Sequence, residues 1–252
     1  MLSTDKISCG YDGIDVVKNI SFQCKKGDCI SIVGPNGCGK TTFLRALSGL
    51  LPYSGSVKLN EKEISSLGRR QISSEIALMT QISSTYFSYS VYETVAFGRY
   101  LHMKQSLLSS MSKDDESAVL SCLEDVDLLD IKDKEITTLS GGQLQRVYLA
   151  RVFAQEPKVI LLDEPTNHLD LRYQLELVER LKQWVHDGDR AIIGVFHDLN
   201  LSMQLSEKTL LMNNGEEVAF GNTKEILLGE KLKEVYGLDI KEYMQKSFYL
   251  WK

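Results

Sequence analysis

The first 33 residues alternate short apolar and polar stretches, with breaks at Gly10, Asp12, Gly13, Lys26 and Gly27. That punctuation predicts a small sheet of short strands. Cys29–Val33 is an apolar run with β-branched residues, 54–60 alternates with period two, and Ile76–Met79 reads as a short buried strand ending at Thr80 and Gln81. Between these runs, 42–47 has helical spacing that stops at Gly49, and the polar stretch 62–74 is read as partly helical. From residue 82 to about 155 the alternation disappears. Helical spacing takes over in Val91, Val95 and Ala96 and again in Ala118, Val119, Cys122, Leu123 and Val126. Ser112 followed by Lys113, Asp114 and Asp115 has the form of a helix cap with acidic first-turn residues. Beyond it, 159–162 and 191–196 are buried strands, and the amphipathic helix Leu171–His186 lies between them. The pattern predicts an α/β sheet interrupted by a helical lobe.

The chemistry sits where apolar strands stop. Gly34, Pro35, Asn36, Gly37, Cys38, Gly39, Lys40, Thr41 and Thr42 fit the phosphate-loop pattern G-x-x-x-x-G-K-[ST] at every fixed position, with a strand before and a helix after. Glycines let backbone N–H groups turn inward around phosphate oxygens, and the helix N-terminus adds positive charge. Lys40 then reaches the terminal phosphates and Thr41 holds magnesium; a plain glycine turn entering a helix would need neither. The strand 159–162 ends abruptly in Asp163 and Glu164, two carboxylates that require a cation, a donor or a polar cleft. Behind a phosphate loop the first supports magnesium and the second accepts a proton from attacking water. His197 closes the strand 191–196 as Gln81 and Glu164 close theirs, which puts three polar groups on one rim. Tyr11 in the first turn is either a surface tyrosine or an aromatic that stacks on an adenine ring.

Composition narrows the classes. At 252 residues, 43% hydrophobic and 25% charged, the chain is long enough for one large domain or two intimate lobes. The net charge of −5 argues against a nucleic-acid partner. Five cysteines without a C-x-x-C pair indicate neither a disulfide framework nor a zinc site, so a reducing cytoplasm is expected. No signal segment or membrane-length apolar run stands in the sequence. Any membrane role is therefore expected to come through a partner.

Leu139, Ser140, Gly141, Gly142 and Gln143 precede an apolar, basic helix over 144–154. Ser140 with Gln143 is a capping box, yet a cap alone does not require two glycines exposing N–H groups at the helix start. This pentapeptide, lying between the phosphate loop and Asp163 and Glu164, resembles the signature of ATP-binding-cassette (ABC) ATPases. The resemblance covers residues 2 to 222. It implies a P-loop NTPase (RecA-like) core with an N-terminal antiparallel β-subdomain and an inserted α-helical subdomain. The expected divisions are a core of 1–82 and 156–228, a helical subdomain of 83–155 carrying the signature, and a C-terminal extension of 229–252. In that extension 232–236 looks helical and Phe248, Tyr249, Leu250 and Trp251 form a mixed aromatic ending; it is expected to pack on the catalytic lobe, with a dimer contact as the other option.

By the same resemblance Tyr11 stacks on adenine, and Gly34 to Thr42 bind ATP. Gln81 touches Mg2+ and connects to the helical lobe. Thr41 and Asp163 complete the metal set, Glu164 polarises water, 167–170 form the D-loop, and His197 and Lys40 hold the γ-phosphate. Ser140, Gly141, Gly142 and Gln143 are implied to complete the ATP site of a second copy, which makes the working unit a homodimer. Thr80, where proline is frequent, and Asn167 and His168, where Ser-Ala is frequent, depart from the family pattern. Tyr92 to Tyr100, Gly142 to Val147 and Phe196 to Asn200 are most similar to the ATPases of bacterial importers for iron(III)-siderophores, haem and cobalamin. That likeness implies a membrane permease, an extracytoplasmic substrate-binding protein and a place on the cytoplasmic face of the membrane. The alternatives are an ABC ATPase for another cargo such as zinc, manganese or lipid, a non-transport ABC scaffold, and a small-molecule kinase, which would leave 139–143 and His197 without a purpose. Cys38, inside the loop, is expected to be shielded from alkylation by bound ATP.

Overall fold

The computed structural model describes residues 1–80, 88–103, 111–167, 169–186 and 188–249. The chain opens with strands β1 (Leu2–Tyr11), β2 (Ile14–Ile20), β3 (Gln23–Cys24) and β4 (Cys29–Val33), then helix α1 (Lys40–Leu47). It continues through β5 (Tyr53–Leu59), β6 (Lys62–Glu63), α2 (Arg69–Glu75) and β7 (Ile76–Met79). Three helices follow: α3 (Val91–Ala96), α4 (Lys113–Glu124) and α5 (Gly141–Ala154). The second half runs β8 (Val159–Asp163), α6 (Leu171–His186), β9 (Ala191–Val195), α7 (Leu199–Leu205), β10 (Lys208–Asn213) and β11 (Glu216–Asn222). Helices α8 (Thr223–Leu227), α9 (Glu230–Tyr236) and α10 (Ile240–Tyr249) come last.

Two sheets result. The first is antiparallel, in the order β2-β1-β5-β6 with β3 also on β1. Strand β1 changes parity at Lys6, whose φ is 47°: Leu2 and Thr4 face the core before it, Ile7 and Cys9 after it. This bulge keeps one face of a ten-residue strand apolar despite the break in alternation. The second sheet has the order β11-β10-β4-β9-β8-β7, parallel except for β11 at its edge. Of its four inner strands, β4, β9 and β8 are buried at every residue, which is why they read as continuous apolar runs. Phe22 meets Phe43 of α1 edge-to-face at 5.6 Å, so the antiparallel sheet braces the helix that follows the phosphate loop.

Helices α3, α4 and α5 pack on one another through Val91, Val95, Val119, Leu123, Val147 and Ala150. All three start at serine caps: Ser90 and Ser140 form capping boxes with Glu93 and Gln143, and Ser112 accepts from the Asp115 N–H. Arg99, in the short helical turn after α3, is buried. Its guanidinium donates to Asp115 Oδ1 at 2.9 Å and to the Ala154 carbonyl at 3.0 Å, tying α4 and the end of α5 together. The sequence places Arg99 in a stretch resembling importer ATPases; the structure gives it an internal task.

The C-terminal stretch is more regular than its sequence suggests. Leu232 of α9 is buried in a cluster with Val33, Leu199, Leu211, Ile226 and Leu227, so α9 packs beside the strand that leads into the phosphate loop. Between Gly237 and the aromatic ending stands the ten-residue helix α10, with no buried residue; it takes in Phe248 and Tyr249, while Leu250 and Trp251 lie outside the described residues.

Candidate active site

Because β4, β9 and β8 are parallel neighbours, their carboxyl ends reach the same edge of the sheet. β4 runs into the loop 34–39. Gly39 caps α1 at φ 100°, a backbone state that only glycine adopts freely, so the turn into the helix depends on it. Lys40, 6% exposed, folds its ammonium back over the loop, donating to the carbonyls of Gly34 at 2.8 Å and Pro35 at 2.9 Å. The thiol of Cys38 is buried as well, and burial pushes its pKa up while the nearby Lys40 opposes the rise. Among the other loop residues, Asn36 and Gly37 are exposed and Pro35 is half-buried.

β8 delivers Asp163, 2% exposed, whose Oδ1 accepts from the Thr41 hydroxyl at 3.0 Å. Burial raises the Asp163 carboxyl above its ordinary range; the Thr41 hydroxyl counters this and the charge of Glu164 adds to it. The next residue leaves the strand sharply: Glu164 has φ 55°, and its N–H still bonds the Val195 carbonyl of β9 at 3.1 Å. That turn aims the Glu164 carboxylate at His197, which follows β9, with 2.5 Å between Oε1 and Nε2. The other carboxylate oxygen, Oε2, accepts from the Asn167 side-chain amide at 2.6 Å. Tyr11 is 41% exposed, and its hydroxyl accepts from Arg45 of α1 at 3.0 Å, which fixes the ring beside the helix of the phosphate loop. Gln81, expected on this rim, lies outside the described residues, as does His168.

Ser140, Gly141, Gly142 and Gln143 line a separate hollow with Arg146, Leu169, Asp170 and Tyr173, and none of residues 34–42 borders it. One chain thus carries a phosphate loop and an exposed helix N-terminus as two surfaces.

The family model for ABC transporters matches residues 17–167. The chain belongs to the ABC transporter family. It is 36% identical over 238 residues to the ferric enterobactin transport ATP-binding protein of Escherichia coli K12, covering 94% of this chain and 87% of the relative. Among solved structures, an inward-facing ABC transporter assigned to the metal-chelate type superposes with a TM-score of 0.79 at 30% identity, over 94% of this chain and 88% of the other. A dimeric ATP-binding cassette in a post-hydrolysis state, bound to ADP and Pi, gives 0.78 at 25% identity over 88% of this chain and 99% of the other. The chain is therefore an ATPase of the ABC family with the P-loop NTPase fold expected from its sequence.

Within this ABC ATPase, several contacts escape motif reading. Gln145 of α5 is buried and donates to the Pro165 carbonyl at 3.0 Å, and the Arg146 guanidinium lies 4.1 Å from the Tyr173 ring centre. Both join the helix that starts at Ser140 to the segment that follows Glu164. Gln174 holds that segment from the other side, through the carbonyls of Thr166 and Leu169. The Asn167 amide on Glu164 had only its three-residue spacing as a signal, and that spacing becomes a contact because Glu164 adopts a left-handed turn.

Proposed function

We infer that this ATPase is the energising subunit of a bacterial importer for a metal chelate, of the iron(III)-siderophore, haem or cobalamin type. It works as a homodimer on the cytoplasmic face of the membrane, beneath a permease that receives cargo from an extracytoplasmic binding protein. The convergence of Thr41, Asp163, Glu164 and His197 on one sheet edge carries the catalytic half of this reading. The likeness to the ferric enterobactin relative and to the metal-chelate transporter supports the cargo half. The dimeric cassette with ADP and Pi supports pairing of two copies.

The place of each residue supports the task assigned to it. The N–H groups of 34–42 cradle the ATP phosphates, Lys40 exchanges its two carbonyl partners for phosphate oxygens, and Tyr11 offers its ring to the base. Thr41 and Asp163 present hard oxygen atoms side by side, and a carboxylate that burial disfavours gains from a cation, so these two fit Mg2+, with Gln81 as the third group. Mg2+ would supply charge neutralisation between the β- and γ-phosphates. Glu164 accepts the proton of the attacking water, and His197 turns from Glu164 to the γ-phosphate. Ser140, Gly142 and Gln143 reach the γ-phosphate of the second copy with the N–H groups of a helix start.

A groove between Leu50, Ile72, Leu78 and the turn carrying Phe97, Gly98 and Tyr100 supports the permease contact. Leu50 and Tyr100 in it are 59% and 71% exposed. The test uses the Glu164→Gln chain, loaded with ATP and magnesium, as bait in detergent extracts of its own cell. Recovery of a polytopic permease whose binding protein takes an iron chelate, haem or cobalamin is the expected result. Recovery of soluble proteins alone would overturn the importer reading.

A further inference from the structure

We propose that Asn167 is a positioning residue for ATP hydrolysis: its amide fixes Glu164 Oε2, so that Oε1, the oxygen facing His197, is the one that takes the proton from water. Both carboxylate oxygens are engaged, Oε2 by Asn167 at 2.6 Å and Oε1 by His197 at 2.5 Å. The two contacts differ in kind. Asn167 is three residues from Glu164, its N–H also bonds the Glu164 carbonyl at 3.2 Å, and the surrounding carbonyls are pinned by Gln145 and Gln174. His197 comes from another strand and is 40% exposed at its side chain, so it is the partner with room to leave.

When His197 swings to the γ-phosphate, Oε1 loses its partner while Oε2 keeps its own. The water oxygen then bonds to the γ-phosphorus as the bond from that phosphorus to the β–γ bridging oxygen breaks. ADP departs with that electron pair, and the water proton passes to Oε1. Glu164 needs this support because it sits at φ 55°, a costly conformation for a residue with a side chain, held by only one backbone bond to β9. Without Asn167 the carboxylate is free to rotate, and the oriented fraction falls.

The proposal rests on Glu164 being the proton acceptor, and the experiment separates the two. Full-length wild type, Asn167→Ala, Asn167→Asp, Glu164→Gln and the Asn167→Ala/Glu164→Gln double variant are compared by steady-state and single-turnover ATP hydrolysis, with ATP affinity measured directly. Asn167→Asp keeps the size of the side chain and replaces the donor by a carboxylate that repels Glu164 Oε2, so a loss there does not come from lost volume. The expected result is that both Asn167 variants lose about tenfold in kcat, as befits one hydrogen bond to a charged group, with KM and ATP affinity unchanged. In the Glu164→Gln background Asn167→Ala adds nothing. Wild-type kcat in Asn167→Asp, or a full tenfold further loss in the double variant, overturns the positioning role. Wild-type turnover in Glu164→Gln alone overturns the reading of Glu164, whatever Asn167 does.

Discussion

Replacing Asp115 by Asn tests whether the buried ion pair, rather than apolar packing alone, holds the helical lobe together. Asp115 is 6% exposed and Arg99 7%; Oδ1 accepts from Arg99 Nε at 2.9 Å and Oδ2 from the Ser112 hydroxyl at 2.6 Å. Removing one member of such a pair strands the other charge, typically at about 3–5 kcal/mol. Here Arg99 keeps Glu156 at 3.0 Å, but that carboxylate is 54% exposed and screened, so its compensation is small, about 0.5–1 kcal/mol. The expected loss is about 2–4.5 kcal/mol, or about 4–18 °C in melting temperature for a chain of this size. The effect has a pH signature. The Ser112 hydroxyl and the Arg99 guanidinium hold the Asp115 carboxyl below its ordinary value, against the opposing pull of burial. Its stabilisation is fully present above the unfolded value of about 4 and is lost as pH falls through the lower folded value. Urea unfolding at pH 7 and at about pH 3 reads both statements, since the gap between wild type and variant should narrow in acid. A pH 7 difference under about 0.5 kcal/mol, the scatter of ordinary surface substitutions, would refute the reasoning.

Three further outcomes follow from the site and the groove. A Cβ on Gly98 would collide with the Arg151 carbonyl and come within 3.0 Å of Ala154 Cβ, so Gly98→Ala should cost about 1–3 kcal/mol and weaken capture of the permease; an unchanged melt would count against the close approach. Cys38 is 5% exposed with a raised pKa, so peptide mapping after alkylation at neutral pH should show it labelled at least about tenfold more slowly than in the unfolded chain, even without ATP. Rapid labelling of the folded chain would contradict that burial. Glu164→Gln should slow hydrolysis by roughly 10²–10⁴-fold and leave ATP binding intact; unchanged turnover would remove Glu164 from its role.

Much of the fold was legible because burial writes itself into the sequence. Central strands β8 and β9 are apolar at almost every residue, and the polar groups that follow them were readable as a rim for the same reason. α10 gives no such signal, since none of its residues is fully buried and it meets the core chiefly through the half-buried Ile240 at its start. The pairing of Arg99 is not legible in the sequence, because its partner Asp115 stands 16 residues away and only packing of α4 brings them together. In the sequence Asn167 is a departure from a family pattern and no more, because its contact depends on the backbone turn at Glu164, which no residue-type rule predicts for a glutamate. The burial of Cys38 is not legible from its place in the phosphate loop; the fold itself leaves it 5% exposed.

The most direct test of the account is the ATPase rate of an equal mixture of two inactive full-length chains, Lys40→Ala and Ser140→Arg. If the hollow at Ser140 to Gln143 completes the phosphate loop of a second copy, each mixed dimer has one intact composite site, and activity should return to as much as about a quarter of wild type. A mixture that stays at the background of its components would contradict a site shared between two chains.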